Sequence, residues 1–83
     1  MSKVSHENVV GSKQTLKALQ REEVGVLYLA RDAEKKVIEP LEKMAQEKNV
    51  ETIYMDTMKE VGEEFKIKIG AAAAAKLKQT DGE

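Results

Sequence analysis

The sequence predicts an α/β domain in which a small sheet is covered by helices on both faces. Three features carry that expectation. Stretches with helical apolar spacing alternate with short strand-like runs. The run Val26-Leu27-Tyr28-Leu29-Ala30 is continuously apolar with polar residues beyond each end, the pattern of a strand buried on both faces. Strand, helix, strand and helix then follow in order, which calls for right-handed crossovers. At 83 residues there is room for one domain, and the scaling of surface with size buries about 63% of the unfolded area, a modest core. Apolar residues make up 41% of the chain and aromatic residues only 4%, so aliphatic side chains must fill that core.

Val4 to Val10 reads as a weak helix or a strand lead-in. Gly11-Ser12 supplies a turn and then an N-cap for a helix over Lys13 to Arg21, with Leu16 and Leu19 on its apolar side. Val24 to Ala30 is the buried strand, and Asp32 is placed to cap the next helix. Val37, Ile38, Leu41, Met44 and Ala45 hold helical spacing through to Lys48, while Pro40, which lacks an N–H, predicts a kink near Glu39. Asn49 closes that helix and Thr52 to Met55 forms a second short strand. Thr57-Met58-Lys59-Glu60 has the form of a capping box, and Met58, Val61 and Phe65 share one side of the helix it starts. Ile67-Lys68-Ile69 alternates as an edge or loop strand would. Ala71 to Ala75 suits a helix by propensity and equally suits a small-residue strand packed between helices. Residues 79–83 read as a flexible tail.

Composition excludes several functions. With no cysteine there are no disulfides, thiolate metal sites or cysteine nucleophiles, and an intracellular, cytoplasmic location fits. The longest apolar run is far too short to span a bilayer, and no secretory h-region is visible, so no membrane partner is expected. His6, the single histidine, reads as a solvated terminal residue with no triad or metal cluster around it. Gly11, Gly62 and Gly70 do not have the spacing of a phosphate loop or dinucleotide fingerprint. Asp32 after a buried strand lacks the acidic pair that a Mg²⁺-dependent phosphoacceptor needs. No catalysis, cofactor or metal is expected.

The formal charge of −1 averages unlike parts. Residues 1–21 carry +3, residues 22–64 carry −6 and residues 65–83 carry +2. Folding that brings the two ends together would make a basic face. The other reading is solvated charge with no partner. Lys13, Gln14 and Lys17 share one face at the start of a helix, beside its free N–H groups. Cations there oppose the helix dipole by some 0.3–1 kcal/mol each. An anion, or the acceptor-rich edge of a guanine, would resolve the conflict.

Five motifs, in order along the chain, resemble one family. Gly11-Ser12-Lys13-Gln14-Thr15-Leu16-Lys17 resembles the signature G-x-N-E-x-x-K of the L-seven-Ae/L-thirty-e ribosomal protein family of kink-turn RNA binders, and is closer still to its bacterial form G-T-K-Q-T-x-K. Val26 to Asp32 resembles the family's second strand with its trailing Asp. Pro40-Leu41 followed by Glu47-Lys48-Asn49 resembles P-L-L-C-E-E-K-N, Lys59-Glu60-Val61-Gly62 resembles K-x-L-G, and Ile67 to Ala73 resembles I-x-V-x-A-A.

The resemblance implies a three-layer α/β/α sandwich around a four-stranded mixed sheet, with Ala71 to Leu77 a strand. It also implies that Lys13, Gln14 and Lys17, presented by Gly11 and Ser12, read the tandem sheared G·A pairs of a kink-turn. Glu34 and Ile38, with Ile67 and Ile69 in a late loop, would cradle an extruded base, and Lys68 between the isoleucines would meet a phosphate. Distorted RNA is the sensible target, because regular A-form helices hide their base edges. Lys13 and Gln14 stand where the archaeal and eukaryotic pattern has Asn and Glu, which removes a carboxylate acceptor and keeps a carbonyl one. Met58 and Lys66 depart from polar and glycine positions. The implied protein is a monomeric binder of structured RNA, such as ribosomal RNA or an mRNA leader, and is ribosome-associated or ribosomal protein-like. The alternative is a protein-interaction module that uses an acidic middle helix, Glu34 to Lys48, against a basic partner.

Overall fold

The computed structural model describes residues 8–78, so His6 and the expected tail over 79–83 lie outside the described residues. The element order is β1 (Asn8–Val10), α1 (Ser12–Gln20), β2 (Val24–Ala30), α2 (Lys35–Glu47), β3 (Glu51–Met55), α3 (Met58–Glu64) and β4 (Ala73–Leu77). The strands form one four-stranded mixed sheet in the order β1-β4-β2-β3. β4 runs antiparallel to β1 and β2, and β2 runs parallel to β3.

Helices cover both faces, as expected. Leu19 of α1 and Leu41 and Ala45 of α2 pack with Leu27, Leu29, Ala73 and Ala75. On the opposite face Val61 of α3 and Phe65 just after it pack with Tyr28, Ala30 and Ala74. There the Tyr28 and Phe65 rings meet edge to face, 5.1 Å between centroids.

The alanine run is a strand. Ala73, Ala74 and Ala75 are each 0% exposed and alternate between the two faces. A strand here pairs its backbone with β1 on one side and β2 on the other, and those hydrogen bonds outweigh a helix preference of a few tenths of a kcal/mol per residue. Gly25 sits at a register irregularity between β2 and β4, and a Cβ there would lie 3.4 Å from the Lys76 carbonyl oxygen.

All three described helices end in the same way. Glu22, Asn49 and Lys66 have φ near +60°, at 61°, 58° and 60°. In each case the N–H groups of that residue and the next turn back onto the last helical turn: Glu22 to Leu19 and Glu23 to Ala18, Asn49 to Gln46 and Val50 to Ala45, Lys66 to Glu63 and Ile67 to Gly62. These paired bonds are the Schellman arrangement, held here without glycine at the left-handed position.

Several local expectations are corrected. Ser12 is the first residue of α1, and the capping position falls to Gly11 with φ 108° and no side-chain bond. Asp32 does not cap α2. Its Oδ1 accepts the Met58 N–H at 2.9 Å and thus caps α3 from across the sheet, while Glu34 occupies the α2 cap position without a side-chain bond. Pro40 does not end α2, which runs from Lys35 to Glu47, and the Lys36 carbonyl that loses its donor lies, like Pro40, on the exposed side. Thr57 caps as expected, accepting the Glu60 N–H at 3.1 Å, but Glu60 reaches back to the Asp56 N–H and not to that of Thr57. Met58 is exposed and does not share the buried side of Val61 and Phe65.

Ile67 to Ile69 form no strand. The chain instead folds back along α3 so tightly that a Cβ on Gly62 would collide with the Ile69 carbonyl oxygen. The helix expected to be acidic is balanced: Glu34 to Lys48 holds four acidic and four basic groups. Acid gathers on α3 instead, at Glu60, Glu63 and Glu64 against Lys59.

Candidate nucleic-acid interface

Strand directions place four connections at one end of the sheet. β1 leads out of that end into α1, β2 into 31–34 and β3 into 56–57, while β4, running the other way, begins there after 65–72. Backbone bonds lace these segments together. Gly11 N–H donates to the Ala73 carbonyl at 2.9 Å, Ala30 N–H to Ala72 at 2.9 Å, Arg31 N–H to Met55 at 2.8 Å and Ala71 N–H to Met58 at 3.1 Å. The Asp32 carboxylate, bonded to the Met58 N–H, adds a side-chain tie.

α1 turns Thr15, Ala18 and Leu19 inward and leaves Lys13, Gln14 and Lys17 exposed. The N-terminal end of its dipole is uncompensated, because the first turn holds no acidic residue and no side chain caps it, whereas Lys17, expected to oppose the dipole, lies in the last turn and complements the C-terminal end. Among the described residues Lys13 and Lys17 enter no ion pair. The Gln14 Oε1 lies 3.4 Å from where a Cβ on Gly11 would stand, so the glycine both permits φ 108° and leaves room for that amide. This is a preformed cationic and amide-bearing face with the helix N–H groups behind it.

The other expected residues divide. Glu34 stands exposed at the head of α2, 4.0 Å from Lys36, a pair too solvated to fix either group. Ile38 is only 9% exposed and belongs to the core beneath α1 and α2. Ile67 is half-buried against the α3-side cluster, whereas Ile69 is 74% exposed and Lys68 is exposed beside it. Ile38 and Ile67 therefore pack on opposite faces of the sheet, and Ile69 is the isoleucine that offers an open side chain.

Sequence spacing did not single out a stacked pair at the same end. The Arg31 guanidinium lies 5.3 Å from the Tyr54 ring centroid and its Nε is 3.9 Å from Asp56. The Tyr54 hydroxyl donates to the Glu42 carboxylate on α2. That bond, then partial burial and the Glu42 charge, raise the Tyr54 pKa above its ordinary value, with Arg31 opposing. The available signal was alternation: Ile53 and Met55 turn inward, so Tyr54 between them had to turn out.

Among the described residues no group of His, Cys, Asp and Glu is arranged to hold a metal, and no helix is long and apolar enough to cross a membrane.

The family described as ribosomal protein L7Ae/L30e/S12e/Gadd45 matches residues 1–83. A relative from Halalkalibacterium halodurans, named as an RNA-binding protein, is 48% identical over 67 residues, which is 81% of this chain and 82% of that protein. Another of the same description, from Caldanaerobacter subterraneus subsp. tengcongensis, is 45% identical over 69 residues, 83% of this chain and 84% of that one. Among solved structures the 15.5kD RNA binding protein of Giardia lamblia superposes with a TM-score of 0.80 at 18% identity. It matches over 88% of this chain and 62% of the Giardia chain, and that likeness establishes the shared fold.

Proposed function

The chain belongs to the ribosomal protein L7Ae/L30e/S12e/Gadd45 family, and from that premise we propose that it binds RNA and recognises kink-turns. The observation that carries the reading is the exposed, ion-pair-free face of Lys13, Gln14 and Lys17 on an uncapped helix N-terminus. The Gly11–Ala73 bond ties that face to the end of the sheet where the 67–69 loop returns. Such a face suits the O6 and N7 acceptors of guanines displayed by sheared G·A pairs.

Glu34 and Ile69 are the open groups on either side for an extruded base. Ile38 and Ile67 hold their backbones in place, and Lys68 meets a phosphate. The relatives named as RNA-binding proteins support RNA as the partner class. The protein acts without catalysis as a monomeric, single-domain, bacterial cytoplasmic binder, whose RNA is ribosomal or an mRNA leader.

A gel-shift titration tests the reading. A duplex with a kink-turn should bind at least tenfold tighter, about 1.4 kcal/mol, than a straight duplex of equal length at the same salt. Equal affinity for the two would remove kink-turn recognition and leave only non-specific attraction to phosphate.

A further inference from the structure

At the carboxyl end of the parallel pair β2 and β3, a groove of about 340 Å³ opens between α2 and β3. Ligands of open α/β sheets sit outside the carboxyl ends of parallel strands, where the returning helix leaves a crevice, and this is the one parallel pair among the described strands. Three kinds of group line it. Ala33 and Ile38 are apolar, Tyr54, Arg31 and Lys35 present a ring and two cations with the guanidinium already against the ring, and Glu39 and Glu42 bring carboxylates. Tyr54 is 41% exposed, in a chain with only two Tyr and one Phe. Its hydroxyl holds Glu42 in position while using one carboxylate oxygen, and the second oxygen remains available to accept.

The chemistry selects its ligand. Arg31 and Lys35 balance the two carboxylates in charge, so a nucleotide's phosphate is tolerated at the rim, while the ring, the guanidinium plane and the carboxylates suit a base. An aromatic ring and an arginine plane stack on any base. Ionised carboxylates only accept, so the edge that faces them must carry adjacent donors. Guanine offers N1–H and the N2 amino group side by side. Adenine sets an acceptor beside its amino group, and uracil flanks its single N–H with carbonyls.

We propose that this groove is a guanine-binding site, with the base stacked on the Tyr54–Arg31 pair and its N1–H and N2 amino group donating to Glu42 and Glu39. The guanine is either that of a free mononucleotide or an unpaired guanosine flanking the site on bound RNA. The second source rests on the kink-turn reading and the first does not. Ile38, which lies under both surfaces, joins the groove to the expected base-contact region.

Two titrations test it on the full chain. In the first, ¹⁵N-labelled protein receives GMP or AMP. GMP should shift the amides of Arg31, Ala33 and Tyr54 and bind about fivefold or more tightly than AMP, and Glu42→Gln should erase that preference while circular dichroism stays native. In the second, kink-turn duplexes carry one unpaired flanking G or A. If the guanine comes only from RNA, the first titration is flat and the G duplex binds the wild type about fivefold tighter, with no difference for Glu42→Gln or Glu39→Gln. GMP selectivity in a protein that ignores kink-turns would support the groove and sink the kink-turn reading. No preference for guanine in either titration, or GMP shifts confined to α1, would overturn the proposal.

Discussion

The Gly11 N–H donates to the Ala73 carbonyl at 2.9 Å, joining the head of α1 to the first residue of the alanine strand. Through this bond a helix near one end of the chain and a strand near the other share a single edge. It depends on Gly11 holding φ 108°, a conformation that resists a side chain. Gly11→Ala should therefore lower stability by about 1–2 kcal/mol in urea unfolding, and RNA affinity should fall with it as α1 shifts. An unchanged midpoint would show that the backbone there is not constrained.

Lys13→Ala and Lys17→Ala should leave stability nearly untouched, since both side chains are exposed and enter no ion pair among the described residues. Each should weaken kink-turn binding by about 1–3 kcal/mol if it reads a base. Equal loss on kinked and straight duplexes, with a salt slope shallower by about one unit, would reassign that lysine to phosphate.

Ile69 is 74% exposed and can be changed without touching the core. Ile69→Asp should keep a native circular dichroism spectrum and reduce kink-turn affinity by about tenfold or more, because it sets a carboxylate against RNA. Full affinity would take the loop out of the interface. Ile67 is a poorer probe, since it is half-buried against the α3-side cluster.

Thr15 is 0% exposed and its Oγ1 has no hydrogen-bond partner among the described residues. A buried hydroxyl without a partner forfeits its hydration, so Thr15→Val, of the same shape, should raise stability by about 1 kcal/mol in chemical unfolding. A loss of stability would show that the hydroxyl is satisfied in solution.

Tyr54 should titrate above the ordinary tyrosine range, because its hydroxyl donates to Glu42. Ultraviolet detection of the phenolate should show Glu42→Gln lowering that pKa toward its usual value. Because the folded pKa is raised above the unfolded one, the stabilisation is full below the unfolded tyrosine pKa, near 10, and is lost as pH rises through the folded value. A wild-type titration indistinguishable from that of Glu42→Gln would remove the bond.

Local pattern reports which groups need partners but not which partners the fold delivers. Asp32 had the composition of a cap for the helix that follows it, and the fold gave it the Met58 N–H of a different helix. Ile67-Lys68-Ile69 alternates like a strand, yet close packing at Gly62 presses it against α3 as a loop. Ser12 yielded the cap position to Gly11 because the Ala73 carbonyl, distant in sequence, claims the backbone there. The Arg31–Tyr54 contact joins two strands and could be found only once their register was known.

The sequence by itself determined the three helices, the strands β2 and β3, the buried run of β2, the outward face of Lys13, Gln14 and Lys17, and the Thr57 cap. Each follows from side-chain periodicity or from a bond within one turn, interactions that the chain makes with its near neighbours. Tertiary structure decided the choice between helix and strand that propensity left open for the alanines, that Asp32 serves α3, and that four connections meet at one end of the sheet. These outcomes depend on backbone groups far apart in sequence satisfying one another. That pairing energy is paid to the assembled sheet and is absent from any isolated segment.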